Sequence, residues 1–217
     1  MKQKIQFTVV LVILVIFLGV MSVRQRMQRM DIVFPEALDT VIVTVDDREL
    51  VLQDLAFYIA YQEGKIEEEA RVYNPEDTGE YWRLHMNDVF LREAGKQKVM
   101  DMAVHDEIFY ELAVSEGLEL TEEEEAHLAN DQYDFWSDLE EEQRESLGVS
   151  EDVIKESMRK LALAEKYQSL LAAMHDCEVE EYSIDGQAYE QLLEEHTVKV
   201  DESVWDRVNF GGITVDH

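Results

Sequence analysis

One cysteine, two prolines and nine glycines are all that a chain of 217 residues carries of these types. A single thiol, Cys177, builds neither an internal disulfide framework nor a multi-cysteine zinc site. So little proline and glycine argues against a turn-rich β fold and for long uninterrupted helices. Positive charge is scarce too: 19 lysines and arginines stand against 49 aspartates and glutamates, for a net charge of −30. The shortage is uneven. Residues 1–30 hold Lys2, Lys4, Arg24, Arg26 and Arg29 and no acid, so they carry +5 and leave −35 on residues 31–217. Such a polyanion repels DNA and RNA, whose binding rests on Lys and Arg contacts to phosphate, so nucleic acid is excluded as a partner. It also stays dispersed and resists non-specific association.

Patterns that carry chemistry are missing as well. The sequence has no glycine-rich phosphate loop, no dinucleotide fingerprint and no His-Glu-x-x-His, and its serines lack a nucleophile-elbow context. His105-Asp106 and His175-Asp176 are adjacent pairs. Neighbours on a helix point in different directions, so both read as surface pairs. With so many carboxylates, close pairs arise by chance and carry no argument for acid–base catalysis. The expectation is a non-enzyme with no cofactor and no metal.

Residues 7–23 contain no charge. At 1.5 Å per residue, a helix of that size approaches the ~30 Å hydrocarbon thickness of a bilayer. Val20-Met-Ser22 is a poor cleavage site, so the segment reads as an uncleaved signal-anchor, with cleavage after Ser22 as the alternative. The expected organisation is a membrane anchor over 1–30, a linker over 31–40 and a domain over 41–217. The expected location is the cell membrane, single-pass, with the bulk of the chain extracytoplasmic.

Val41–Val45 is a β-branched run that fits a strand, and Asp46-Asp47 suits a tight turn. A helix is predicted from about Gln53 to Val72, a break at Asn74-Pro75 and a new helix near Glu80. Val99 or Met100, Ala103, Val104, Ile108 and Leu112 recur at steps of three or four and form one apolar helix face. Gly117 sits where a left-handed helix stop is expected. Thr121 and Glu124 match a capping box that opens a helix running to about Glu142. Gly148 and Ser150 mark a turn and an N-cap before a helix extending to about Met174. In the last forty residues, Ala188–His196 suits a short helix. Thr197–Val200 and Ser203–Val208 read as strands able to pair with residues 41–45.

Aromatic side chains on the predicted helices stand out. Phe57, Tyr61, Tyr81, Trp82, Phe109, Tyr110, Phe135 and Trp136 are the candidates for a peptide-binding surface. Aromatics bury large area at low entropy cost, which suits contact with varied apolar segments.

The order of elements resembles the amino-terminal chaperone domain of SurA- and PrsA-type foldases, itself similar to the substrate-binding helical region of trigger factor. The residues that carry the resemblance are the strand Val41–Val45, then Ala113-Val-Ser-Glu-Gly117-Leu-Glu-Leu120-Thr121-Glu-Glu-Glu124, then Gly148-Val-Ser150-Glu-Asp-Val-Ile154. It covers about residues 41–175. Two departures accompany it: too few residues follow for a parvulin-type isomerase domain of ~90 residues, and the acylated anchor cysteine of PrsA-type proteins is missing. The resemblance implies a mainly α fold: an N-terminal transmembrane helix, then a SurA-like helical domain with a small β element made by its N- and C-terminal strands. It further implies a membrane-anchored chaperone that holds unfolded or exported polypeptides, without isomerase activity. The rival expectation is an anchored acidic scaffold or regulator that binds one dedicated protein partner.

Overall fold

The β-branched run Val41–Val45 forms strand β1, and the turn at Asp46-Asp47 returns the chain as β2 (Arg48–Val51). This computed structural model describes residues 30–86 and 88–216. Asp46 turns with a φ of 53°, a conformation a short polar side chain tolerates. Its carboxylate accepts the Thr197 N–H at 2.8 Å and meets His196 Nδ1 at 2.7 Å. The turn therefore also holds β5 (Val198–Val200), which pairs antiparallel on the other edge of β1. Pairing of the 41–45 run with residues near 200 is the one its β-branched composition suggested.

A 3-10 turn, Leu52–Leu55, leads into α1 (Ala56–Tyr73). The single turn α2 (Gly79–Trp82) follows, then the two-residue strands β3 (His85–Met86) and β4 (Val89–Phe90). Helix α3 (Leu91–Ser115) buries Val99, Ala103, Ile108 and Phe109. It stops as a left-handed glycine should stop it: Gly117 has a φ of 68°, its N–H donates to the Val114 carbonyl, and Leu118 N–H donates to the Ala113 carbonyl. The capping box is formed: Glu124 N–H donates to Thr121 Oγ1 at 3.3 Å and Thr121 N–H donates to the Glu124 carboxylate at 2.6 Å. It opens α4 (Glu122–Asp138). Then come α5 (Glu141–Leu147), α6 (Glu151–Met174), a 3-10 turn at Val179–Tyr182, α7 (Gln187–Leu193) and α8 (Glu202–Trp205).

Helices α3 and α6 make the most extensive packing contact, α1 lies on α3, and α4 lies on α6. Phe109, Phe210, Ile42, Leu52, Leu55, Ile59 and Ile154 are fully buried between these elements and the sheet. Each such side chain contributes roughly 1.5–3 kcal/mol by leaving water.

Five expectations need correction. Among the described residues no helix is long and apolar enough to cross a membrane. The transmembrane helix of the expected fold class is therefore not among the elements described, and a single-pass membrane location with an extracytoplasmic bulk is not supported. What the structure supports is a mainly helical chain with a small antiparallel sheet. Residues 7–23, on which the anchor rested, lie outside the described residues. Ser203–Val208 is not a strand, because the Asp201 carboxylate accepts the Ser203 N–H at 3.1 Å and starts the helical turn α8. The helix after Thr121 ends at Asp138 rather than near Glu142, because Glu140 opens α5 by donating its N–H to Gln143 Oε1 at 2.8 Å. His105 and Asp106 are not a surface pair but buried, 6% and 5% exposed. Residues 31–40, read as a linker, lie against the fold: Phe34 is buried and Ile32 bridges to Val208.

The two left-handed helix stops differ in surroundings, so substitution should separate them. A Cβ on Gly117 meets nothing within 4 Å, whereas one on Gly148 (φ 64°) would lie 2.4 Å from Pro35 Cβ. Gly117→Ala should cost about 1 kcal/mol from backbone strain alone. Gly148→Ala should cost about 2 kcal/mol or more, because overlap adds to strain. Urea midpoints of the full chain measure both, and equal midpoints would contradict the packing of Pro35 on this turn.

Candidate functional site

Helix α1 has two working faces. The inner face carries Glu63, which has no solvent exposure. A carboxylate is tolerated there only if donors surround it. The C-terminal stretch supplies them: Glu63 accepts from the N–H groups of Gly211 (2.5 Å), Ile213 (3.3 Å) and Thr214 (2.5 Å) and from the Thr214 hydroxyl (2.6 Å). Burial raises the Glu63 carboxyl above its ordinary 4.5, and the Thr214, Gly211 and Ile213 donors pull the other way. One turn on, the Glu67 carboxylate accepts the Trp82 indole N–H at 2.9 Å, and Trp82 packs edge-on against Phe210 with ring centres 5.9 Å apart. Gln143 of α5 donates to the Thr214 carbonyl at 2.7 Å. These bonds fix residues 210–215 between α1 and α5.

The outer face carries Phe57, Tyr61, Gly64, Glu68 and Arg71, at steps of four, three, four and three. Residues at that spacing share one side of a helix. Phe57 at the start of this stripe is buried, whereas Tyr61, Glu68 and Arg71 are exposed. The stripe forms the floor of a groove whose walls are the end of α4, the start of α5 and the C-terminal stretch. Two adjoining concavities make the groove, of about 480 and 380 Å³. They share Glu67, Arg71, Glu140, Gln143 and Val215. A third, of about 300 Å³, opens at the α1 N-terminal end beside Phe57, Tyr58, Tyr61, Met102, Leu161 and Ile184. Tyr61 belongs to both ends and is 45% exposed. The Phe57 ring stacks on Tyr61 with centres 6.0 Å apart and meets Phe135 of α4 at 5.0 Å. Gly64 sits mid-helix, and a Cβ added there would meet nothing within 4 Å. Its lack of a side chain deepens the trough.

Of the eight aromatic candidates, the structure gathers Phe57, Tyr61 and Phe135, with Phe57 mostly buried beneath the other two. The rest go elsewhere. Trp82 and Phe109 are buried in the core. Tyr81 donates its hydroxyl to Glu69 at 2.8 Å near the far end of α1, beside Tyr73. Tyr110 lies under the Lys160 ammonium, 5.0 Å from it. Trp136 lies under the Arg144 guanidinium at 5.2 Å, on the side of α4 next to Phe135. Adjacent aromatics on a helix diverge, so each pair splits between environments. Sequence reasoning missed Glu63, Gly64, Leu139 and Val215. Only Gly64 left a signal, since an isolated glycine inside a helix pattern costs about 1 kcal/mol and calls for a reason.

A second polar cluster lies behind the α1 N-terminal end. His105 Nδ1 meets the Asp106 carboxylate at 2.8 Å and His105 Nε2 meets the Tyr182 carbonyl at 3.0 Å. Both ring nitrogens thus face oxygen partners. Burial first, then the Asp106 carboxylate, holds the Tyr58 hydroxyl well above its ordinary range. Ser183 lines the same cavity, but its hydroxyl donates to the Glu180 carbonyl at 2.7 Å. The histidine is thus committed to structural partners, not to activating a serine. Among the described residues no three or more His, Cys, Asp or Glu side chains gather as metal ligands would.

The chain matches no family model, no curated protein and no solved structure. Its functional reading therefore rests on the groove.

Glu63→Ala should lower stability by about 3 kcal/mol or more, because it strands three buried N–H donors. The raised carboxyl also sets a sign. The stability it contributes is full below the ordinary 4.5 and is lost as pH rises through the raised value. The stability of the native chain relative to Glu63→Gln should therefore fall as pH rises above 4.5. Urea titrations of both at several pH values measure this, and a constant difference would contradict a buried, titrating Glu63.

Proposed function

We propose that this protein is a polypeptide-binding module of the holdase kind, which takes apolar segments of unfolded chains into the groove along α1 and carries out no proline isomerisation. The observation that carries the reading is the exposed Tyr61 in an open trough, stacked on a Phe57 ring that in turn meets Phe135. An apolar aromatic end set in an otherwise polar trough is how folded proteins receive apolar segments. From Phe57 to Arg71 the floor runs ~21 Å at 1.5 Å per residue. That is the length of about six residues of extended chain at ~3.3 Å each. Burial at about 25 cal/mol per Å², less the cost of ordering a flexible segment, makes such binding weak and tolerant of sequence. The resemblance of residues 41–175 to the chaperone domain of SurA- and PrsA-type foldases supports the same reading. The acidic surface suits it too, because net charge keeps a protein with an exposed aromatic patch dispersed.

The test is aggregation of a denatured protein followed by light scattering, with the full chain added and an equally acidic protein as control. Suppression near equal molar ratio, beyond the control, is expected. Tyr61→Ser should reduce that suppression several-fold while leaving the melting midpoint nearly unchanged, because Tyr61 is half exposed. No suppression, or suppression that ignores Tyr61→Ser, would overturn the reading.

A further inference from the structure

The two ends of the groove differ in chemistry. Around Tyr61 the walls are Phe135, Leu139 and Ala60. Toward Arg71 they become acidic. Six carboxylates line the paired concavities, among them Glu68, Asp138, Glu142 and Asp216, against the two cations Lys65 and Arg71. Arg71 already faces the Glu67 carboxylate at 3.6 Å. Glu68 and Glu142 are exposed, and among the described residues their carboxylates have no hydrogen-bond or ion-pair partner. A trough walled by low-dielectric protein focuses the field of such charges on whatever enters it.

We infer that the groove selects polypeptide segments in which an apolar side chain is followed, about three residues on, by lysine or arginine. The inference rests on the reading of the groove as a polypeptide site and adds its specificity. Tyr61 and Glu68 lie seven residues apart on one helix face, ~10 Å at 1.5 Å per residue. A segment in the polyproline II conformation advances ~9 Å in three residues, at about 3.1 Å each, and returns the third side chain to the same side. The apolar side chain of the occupant sits on Tyr61 and Phe135, over Gly64, and its cation reaches Glu68 and the carboxylates across the trough. Gly64 is what admits it: with open space above its Cα, any larger side chain there stands where the occupant lies. An acidic segment is repelled along the same length, so discrimination comes from repulsion as well as attraction.

Fluorescence anisotropy of three labelled twelve-residue peptides against the full chain tests this. All share one apolar core, followed at three residues by lysines, by glutamines or by glutamates. The lysine peptide should bind at least ten-fold more tightly than the glutamine peptide, and the advantage should shrink as salt rises from 50 to 300 mM. The double variant Glu68→Lys with Glu142→Lys should abolish that advantage, and a lysine preference that survives it overturns the charge selection. Gly64→Leu should weaken all three peptides at least ten-fold at an unchanged or raised melting midpoint. If all three peptides bind alike and Gly64→Leu weakens them alike, the charge selection is overturned and the polypeptide groove stands. Failure of every peptide to bind overturns the groove reading and this inference together. Binding indifferent to Gly64→Leu places the site elsewhere and overturns the inference as well.

Discussion

A carboxylate without solvent exposure, Glu63, holds the last stretch of the chain against the middle of α1, and the shape of the candidate site depends on that hold. Four donors from residues 211–214 converge on it. Removing a buried carboxylate from water is costly, so the arrangement is stable only when all its donors arrive together. That requirement locks the backbone of residues 211–215 in one path. The close approach of Gly211 to Trp82, where a Cβ would lie 2.9 Å from the indole ring, secures the same path from the other side. The stretch so fixed is also a wall of the groove, through Val215 and its neighbours. A single glutamate facing inward thus determines what the outward face of its own helix can hold.

The outward face explains why α1 is only weakly amphipathic. Its inner side carries Glu63 and Glu67, and its outer side carries Tyr61, so polar and aromatic groups sit on the faces opposite to those a simple core helix would give them. Packing alone accounts for Ile59 and Ile66, which are buried. It does not account for an exposed tyrosine stacked on Phe57, nor for a glycine in mid-helix with nothing above it. Both follow if the outer face is a floor for another chain. The acidic shell then serves two ends: it keeps the aromatic patch dispersed, and it concentrates negative potential at one end of the trough.

Helices were legible where local chemistry decides them. The stop at Gly117, the Thr121–Glu124 capping box and the turn at Gly148 are set by residues within one turn of each other, and all three form. The 203–208 segment was not legible, because β-propensity of Val204 and Trp205 yields to one Asp201 hydrogen bond. The break between α4 and α5 hides for the same reason: only Glu140 and Gln143 mark it. The site was legible in part. Phe57, Tyr61 and Phe135 were among the aromatic candidates, but nothing in the spacing separated them from Trp82 or Phe109. That separation depends on which helix face meets α3 and α6, a tertiary fact. Glu63 was invisible, one acid among 49. His105 and Asp106 misled, because a helix that turns adjacent residues apart can still bury both when Tyr182 arrives from 77 positions away.

The central claim is that unfolded chains lie on the outer face of α1. Photo-crosslinking tests it most directly, with a benzophenone amino acid placed in the full chain at Tyr61 or at Tyr133. Tyr133 is more exposed, at 68%, but lies outside the groove. With a denatured client present, crosslinks should form from position 61 and be nearly absent from position 133. Equal yields from the two positions, or crosslinks from 133 alone, would contradict the account.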